Sequence, residues 1–148
     1  MPHLLGVDLG LSTGLALYEH PGRLVWYRSR HFPNQTTLKR GIAAMLRECP
    51  PLDFLILEGH RALAYRWKQA APTVRFLEVS AETWREELLI PRRRKDAATA
   101  KKSALEEAHR LIVESGLPRP TSLTHDAAEA ILIGWWGVGK VWDDVHPK

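Results

Sequence analysis

The chain has 148 residues, of which 45% are hydrophobic, and its formal net charge is +4. This length is typical of one globular domain, so we expect residues 1–148 to form a single domain with one substantial core. Cys49 is the single cysteine, which excludes an internal disulfide, and the N-terminal residues do not have the pattern of a secretion signal. We therefore expect a cytoplasmic protein. No membrane span is expected, because the apolar stretch 130–141 is well below the roughly 20 residues that cross a bilayer.

The first half of the chain predicts an antiparallel meander, a helix and a further strand. Apolar runs bounded by turn residues predict the strands, which span residues 3–9, 14–18, 24–27 and 53–57. Before the last of these, Thr36 or Thr37 can cap a helix that runs to Arg47, and Pro50 follows as a stop signal.

The second half alternates helices with one more strand. A strand with one wet face is predicted over 74–79, and helices are predicted over 61–71, 81–89, 97–114 and 124–136. Ser80 and Asp96 are the expected caps of the second and third of these helices. Three strands followed by strands that alternate with helices predict an α/β fold. The expected architecture is a five-stranded mixed sheet flanked by helices, the layout of the ribonuclease H-like fold.

Four carboxylates lie at the ends of apolar segments. Asp8 and Glu58 end two predicted strands, and Asp126 and Glu129 open the last helix. An acid at the end of a buried strand is costly unless a positive charge meets it. In a chain with a net charge of +4, acids from three distant segments suggest a divalent-metal site that hydrolyses a phosphate backbone.

Each of these acids also has a purely structural interpretation. Asp8 could accept hydrogen bonds from the backbone of the turn that follows it, and Glu58 could pair with Arg61 or His60. The two helical acids, three residues apart, could form a capping box in the first turn. The alanines beside them favour a site instead, because small residues let the helix lie close against the sheet.

The expected cofactor is a pair of Mg²⁺ ions, for which Mn²⁺ could substitute, because every candidate ligand is a carboxylate oxygen. Two such ions about 3.5–4 Å apart would activate water and stabilise the leaving 3′ oxygen. Zinc is not expected, since it prefers closely spaced His and Cys ligands and the seven histidines are scattered. His125 is either a ligand, a group that orients water, or a solvated residue of the first helical turn.

Basic residues form two groups along the chain. Between Arg92 and Lys102, six of eleven residues are basic, which is typical of a solvated loop but favours phosphate contact beside an acid cluster. The second group follows the fourth strand, where Tyr65 and Trp67 could stack on bases or belong to the core. The predicted DNA-binding residues are Arg61, Arg66, Lys68, Arg92, Arg93, Arg94, Lys95, Lys101 and Lys102.

Several segments together resemble the RuvC family of Holliday junction resolvases in the ribonuclease H-like superfamily, especially its short phage-type members. In chain order they are Gly6 to Gly14, Leu57-Glu58, Trp84, Lys101-Lys102 and His125 to Ala130. The resemblance implies a homodimer that holds a four-way DNA junction and nicks two strands of like polarity. It also implies that Lys101 or Lys102 lies near the scissile phosphate, and that the metal-binding catalytic residues are Asp8, Glu58, Asp126 and Glu129.

The sequence thus predicts a crossover-junction endodeoxyribonuclease from a bacterium, or from a phage inside an infected bacterium. Two features depart from the family pattern. Glu129 stands where aspartate is more common, and His60-Arg61 stand where an aromatic residue often follows the second acid. Trp135 and Trp136 cannot both face inward, so one of them is a candidate for the subunit contact.

Other functions stay open at this level. The chain could be a YqgF-like ribonuclease, which shares the Asp-x-Gly start, or a branched-DNA nuclease without junction selectivity. Residues 8–14 could also form the phosphate loop of a sugar kinase or actin-like ATPase, although 148 residues leave no space for the second domain that those proteins need. A catalytically silent junction binder is the remaining alternative.

Overall fold

The computed structural model describes residues 1–89 and 96–142. Within these residues lies a five-stranded sheet, made of β1 (His3–Asp8), β2 (Ser12–Glu19), β3 (Arg23–His31), β4 (Phe54–Glu58) and β5 (Arg75–Val79). The spatial order is β3-β2-β1-β4-β5. Strands β1, β2 and β3 pair antiparallel, whereas β1 pairs parallel with β4, and β4 with β5. The predicted α/β architecture with a mixed sheet is confirmed.

The helices are α1 (Gln35–Arg47), α2 (Arg61–Ala70), α3 (Ala81–Leu88), α4 (Ala97–Glu114) and α5 (His125–Val141). The predicted caps Ser80 and Asp96 are confirmed. The predicted cap of α1 is wrong, because Asn34 holds that position and its Oδ1 accepts the N–H of Thr37 at 2.9 Å. Within the described ranges, none of the helices combines the length and the apolar character that a membrane span requires.

Helix α5 runs to Val141, beyond the predicted end at Trp136, and two glycines within it lie against the sheet. A Cβ on Gly134 would lie 2.6 Å from the ring of Tyr18, and one on Gly137 would overlap the side chain of Ile56. These residues therefore serve helix packing at close range. They do not end the helix.

The helices cover both faces of the sheet. One apolar cluster joins Leu4 and Ile56 to residues of α3, α4 and α5, including the fully buried Trp84. The other joins Leu5 and Leu55 to residues of α1 and α2. Because side chains alternate along a strand, β1 and β4 are buried on both faces, and their even-numbered residues point towards α5.

Glycines in β1 and β2 let α5 lie close against the middle of the sheet. A Cβ on Gly6 would lie 2.6 Å from the backbone N of Gly134, and one on Gly14 would overlap the carbonyl of Asp126. The hydroxyl of Tyr18 donates to the carbonyl of Ile131 at 2.6 Å, which fixes the helix along β2. The expected close approach of helix and sheet is confirmed, and it places the first turn of α5 at the end of β1.

The two adjacent tryptophans of α5 both make contacts within the chain. The Trp135 ring lies 6.1 Å from that of Tyr18 between centroids, and the indole N–H of Trp136 donates to Glu87. Lys140 donates to the same carboxylate at 2.8 Å. Both rings are partly buried, so a subunit contact through one of them stays a prediction.

Candidate active site

Asp8 and Glu58 lie side by side at one edge of the sheet. They are the last residues of β1 and β4, and they are register partners in the parallel pairing of these strands. Their side chains share a hydrogen bond. The N–H of Leu9 donates to the carbonyl of Glu58 at 2.9 Å, which continues the ladder past the strand ends and fixes both backbones.

Asp126 and Glu129 come to the same edge from α5. The side chain of Thr124 caps this helix by accepting the N–H of Ala127 at 3.2 Å. The capping-box interpretation is therefore wrong, because it would need Asp126 itself at the cap position. Asp126 lies in the first turn and Glu129 one turn later, where it is only 7% exposed.

The four predicted acids form one electrostatic cluster. Burial raises the pKa of Asp8 to about 8, and the negative charges of Glu58, Glu129 and Asp126 contribute in that order. Burial and the charge of Glu129 also raise the pKa of Glu58, while its hydrogen bond with Asp8, the charge of Arg85 and the N–H of Ala81 act in the opposite direction. Near neutral pH the hydrogen-bonded pair therefore retains a proton, as adjacent carboxyls that cannot both ionise do.

The carboxylate of Glu129 is engaged at one oxygen only. Its Oε1 accepts from Nη2 of Arg85 at 3.2 Å and lies 3.1 Å from Nε2 of His125. Its Oε2 is buried and has no hydrogen-bond partner within the described ranges. His125 thus contacts Glu129 from the preceding turn, although its ring is partly exposed.

The alternative pairing proposed for Glu58 is not what the structure contains. His60 caps α2, with its Nδ1 accepting the N–H of Ala62 at 3.3 Å, and Arg61 is exposed on the same helix. The basic residue that acts on the cluster is instead Arg85 on α3, which is not among the residues predicted from the sequence. Its signal in the sequence is weak. The only hint in the sequence is that Arg85 follows shortly after β5, and β5 lies beside β4, the strand that ends at Glu58.

The chemical type of the donor atoms suits hard divalent cations. Every acid of the cluster offers carboxylate oxygens, and one buried oxygen of Glu129 is free of hydrogen bonds within the described chain. Residues 1–89 and 96–142 contain no group of three or more His, Cys, Asp or Glu side chains already placed to hold an ion. The contacts explain this, because Asp8 and Glu58 bond to each other and Arg85 and His125 engage Glu129. Binding would therefore require a proton to leave and side chains to turn.

The predicted basic residues are only partly accessible. Arg61 and Arg66 are exposed on α2, and Tyr65 between them is 59% exposed, whereas Trp67 belongs to the core. Lys68 already binds Glu78 at 2.9 Å and lies 4.0 Å from the centre of the Phe76 ring, so its charge is partly compensated.

The other predicted basic residues belong to α4 and the segment before it. Lys101 and Lys102 are exposed on α4, and the first turn of this helix shares a hollow of about 290 Å³ with Arg85. The two lysines follow directly after Ala100, the last α4 residue that lines this hollow. The remaining predicted DNA contacts lie outside the described residues, and they are Arg92, Arg93, Arg94 and Lys95.

Comparison with solved structures identifies the fold. The structure of Thermus thermophilus RuvC matches with a TM-score of 0.59 and 17% identity, covering 97% of this chain and 96% of that chain. The Fowlpox virus resolvase, solved in a complex with Holliday junction DNA, matches with a TM-score of 0.68 and 15% identity over 94% and 98% of the two chains. No protein-family model and no curated protein sequence matches the chain. The chain therefore has the ribonuclease H-like fold of the RuvC-type resolvases.

Proposed function

We propose that this protein is a metal-dependent endonuclease that resolves Holliday junctions by hydrolysing phosphodiester bonds. The observation that carries the proposal is the convergence of Asp8, Glu58, Asp126 and Glu129 at one edge of the sheet, where the pKa of Asp8 is raised to about 8. The nearly complete fold match supports it, because one of the matched resolvases was solved with junction DNA.

In this proposal the four acids hold two Mg²⁺ ions, which Mn²⁺ can replace. The bound ions would supply an activated water molecule and a charge partner for the leaving 3′ oxygen. Asp8 is the central residue, because it bonds to Glu58 and feels the charge of both acids on α5. The raised pKa values mean that the pair Asp8 and Glu58 must release its proton when cations bind.

The basic residues would bind the DNA backbone around this cluster. Lys101 and Lys102 are the proposed contacts beside the scissile phosphate, because α4 reaches the hollow that Arg85 borders. Arg61 and Arg66 would extend the contact from α2, and the exposed ring of Tyr65 could stack on an unpaired base. Two nicks in one junction require two such sites, so the proposed working form is a homodimer in the cytoplasm.

Cleavage of matched substrates tests the proposal. A four-way DNA junction, a flap, a linear duplex and a structured RNA are incubated with Mg²⁺, with Mn²⁺ and with EDTA. We expect symmetric nicks in the junction, with either metal and not with EDTA. Cleavage of the RNA alone would favour the ribonuclease alternative, and tight junction binding without any cleavage would overturn the enzyme assignment.

The control for Asp8→Asn should also replace an aspartate by asparagine, but at the opposite end of β1 and β4. Asp53 meets this requirement, because its carboxylate accepts the N–H of His3 at 2.9 Å just before β4 begins. Asp53→Asn should therefore cut at close to the wild-type rate. Loss of activity in Asp53→Asn as large as that in Asp8→Asn would point to a general effect of removing an acid.

A further inference from the structure

Arg85 is the residue that connects α3 to the acid cluster. Its guanidinium donates to Glu129 at 3.2 Å, and its positive charge lowers the pKa of Glu58. The side chain is 27% exposed, and its Nε is buried without a hydrogen-bond partner within the described ranges. The guanidinium thus binds Glu129 through one arm and leaves another donor unused, so the contact is weaker than a bidentate pair.

Arg85 also borders a hollow of about 290 Å³. Among the described residues, its lining is Arg85 together with Glu82, Glu86, Asp96, Ala97 and Ala100, so three of the six are acids. Glu82 and Glu86 are exposed, and Glu82 lies one helical turn before Arg85, within reach of its side chain. Besides Glu129 in the cluster, the guanidinium therefore has the carboxylates of Glu82 and Glu86 beside it in the hollow.

We propose that Arg85 is a positioning residue that competes with a divalent cation for Glu129 and turns into the hollow when the cation binds. This inference rests on the proposed metal-dependent function. Arg85 would balance the buried charge of Glu129 until a cation replaces it. Breaking the Arg85–Glu129 pair costs free energy and therefore lowers the metal affinity. New contacts of Arg85 with Glu82 and Glu86 in the hollow would offset part of this cost.

Manganese binding to the intact protein tests the first half of this proposal. Removing Arg85 should tighten binding, because the cation no longer displaces a guanidinium. The Kd for Mn²⁺ should fall by up to about fivefold in Arg85→Gln, which corresponds to the roughly 1 kcal/mol that a partly exposed ion pair contributes at most. Calorimetry or Mn²⁺ electron paramagnetic resonance measures this directly, without DNA and without activity.

The matched control is Lys140→Gln. Lys140 binds Glu87 at 2.8 Å, so this variant also removes one cation from an ion pair between α3 and α5. It leaves Arg85 and Glu129 in place, and its Kd for Mn²⁺ should stay within twofold of the wild-type value. Should Arg85→Gln fail to fold, Arg85→Met keeps a long unbranched side chain for packing but removes the charge, and it should also bind Mn²⁺ more tightly than the wild type.

A double-mutant cycle tests the second half. Replacing Glu82 and Glu86 by glutamine should weaken Mn²⁺ binding in the wild type, because Arg85 loses its alternative partners. The same double substitution should have little effect in Arg85→Gln. An equal loss of affinity in both backgrounds would mean that Glu82 and Glu86 act on the cation by simple charge, and it would overturn the proposed movement of Arg85.

Asp8→Asn separates this inference from the proposed function. If the wild type binds Mn²⁺, Asp8→Asn does not, and Arg85→Gln binds no tighter than the wild type, the metal site stands and the role of Arg85 is wrong. If neither the wild type nor Arg85→Gln binds Mn²⁺, both the metal site and the role of Arg85 are overturned. Tighter binding in Arg85→Gln with loss of binding in Asp8→Asn supports both.

Discussion

Asp8 and Glu58 are register partners at the ends of two parallel strands, and their side chains are hydrogen-bonded to each other. Parallel pairing is what brings two distant residues of the chain to the same edge. Helix α5 packs on one face of the sheet and brings Asp126 and Glu129 to the same edge, because glycines in β1 and β2 let the helix lie close to the strands. The acid cluster is therefore a product of the sheet topology as well as of the positions of the acids in the sequence.

Asp8→Asn should abolish cleavage of a four-way junction. Loss of a residue that merely supports a metal ligand typically costs 10- to 100-fold, so loss of the central acid should cost at least about 100-fold. Junction affinity should stay the same or increase, because a negative charge near the DNA backbone is removed. Rate and gel-shift measurements on the same preparation check both parts, and cutting at the wild-type rate would contradict the assignment.

Stability in EDTA should fall as the pH rises towards 8. Asp8 is protonated in the folded protein up to a pKa of about 8, whereas its ordinary value is 3.8. Between these two values the folded state binds the extra proton. The extra proton contributes its full stabilisation of the folded state below the ordinary pKa, and this contribution is lost as the pH rises through the raised pKa. The free energy of unfolding then falls by at most about 1.4 kcal/mol per pH unit for each titrating group.

Urea unfolding at pH 5, 6.5 and 8 measures this dependence. Asp8→Asn should flatten it and should be more stable than the wild type at pH 8 in EDTA, because the amide cannot ionise. Adding Mn²⁺ should stabilise the wild type most at the highest pH. A free energy of unfolding that rises from pH 5 to 8 in the wild type would contradict the proposed shared proton.

Gly14→Ala should damage both the fold and the site. Its Cβ would overlap the carbonyl of Asp126, so α5 must move away from the sheet. Overpacking of this kind costs about 1–3 kcal/mol, and the shift of Asp126 should also weaken Mn²⁺ binding. Gly10→Ala is the control, because the nearest contact of its Cβ would be the carbonyl oxygen of Ser12 at 3.4 Å, and its stability should change by about 0.5 kcal/mol or less.

Replacing Lys101 and Lys102 by glutamine should weaken junction binding and reduce its salt dependence. Each phosphate contact contributes about one unit to the slope of log affinity against log salt, so the slope should decrease by about two. The control replaces Lys39 and Arg40, which are exposed on α1 against the opposite face of the sheet and carry the same total charge. An equal effect in both double variants would show that only net charge matters.

The clustering of the four acids could be predicted from the sequence because each acid stands at the end of a clear local pattern. Asp8 and Glu58 end apolar strands, and the mixed sheet follows from the order of elements, so their meeting could be anticipated. The choice between a site and a capping box for Asp126 and Glu129 could not be made from their spacing alone. It depended on Thr124, which takes the cap position and leaves both acids inside the helix.

Arg85 could not be predicted by the same reasoning. Its contact with Glu129 depends on how α3 packs against α5, and no local pattern fixes that packing. The cap of α1 was missed for a smaller reason, because Asn34 and the two threonines that follow are all good capping residues. Sequence patterns thus located the acids, while the cation that compensates one of them emerged only from tertiary structure.

The most direct test of the central claim is the position of Mn²⁺ in crystals of the protein, located by anomalous scattering. We expect Mn²⁺ in contact with the carboxylates of Asp8 and Glu58, with Arg85 no longer bonded to Glu129. Manganese bound only elsewhere, in a protein that still cuts junction DNA, would contradict the claim that these four acids form the metal centre.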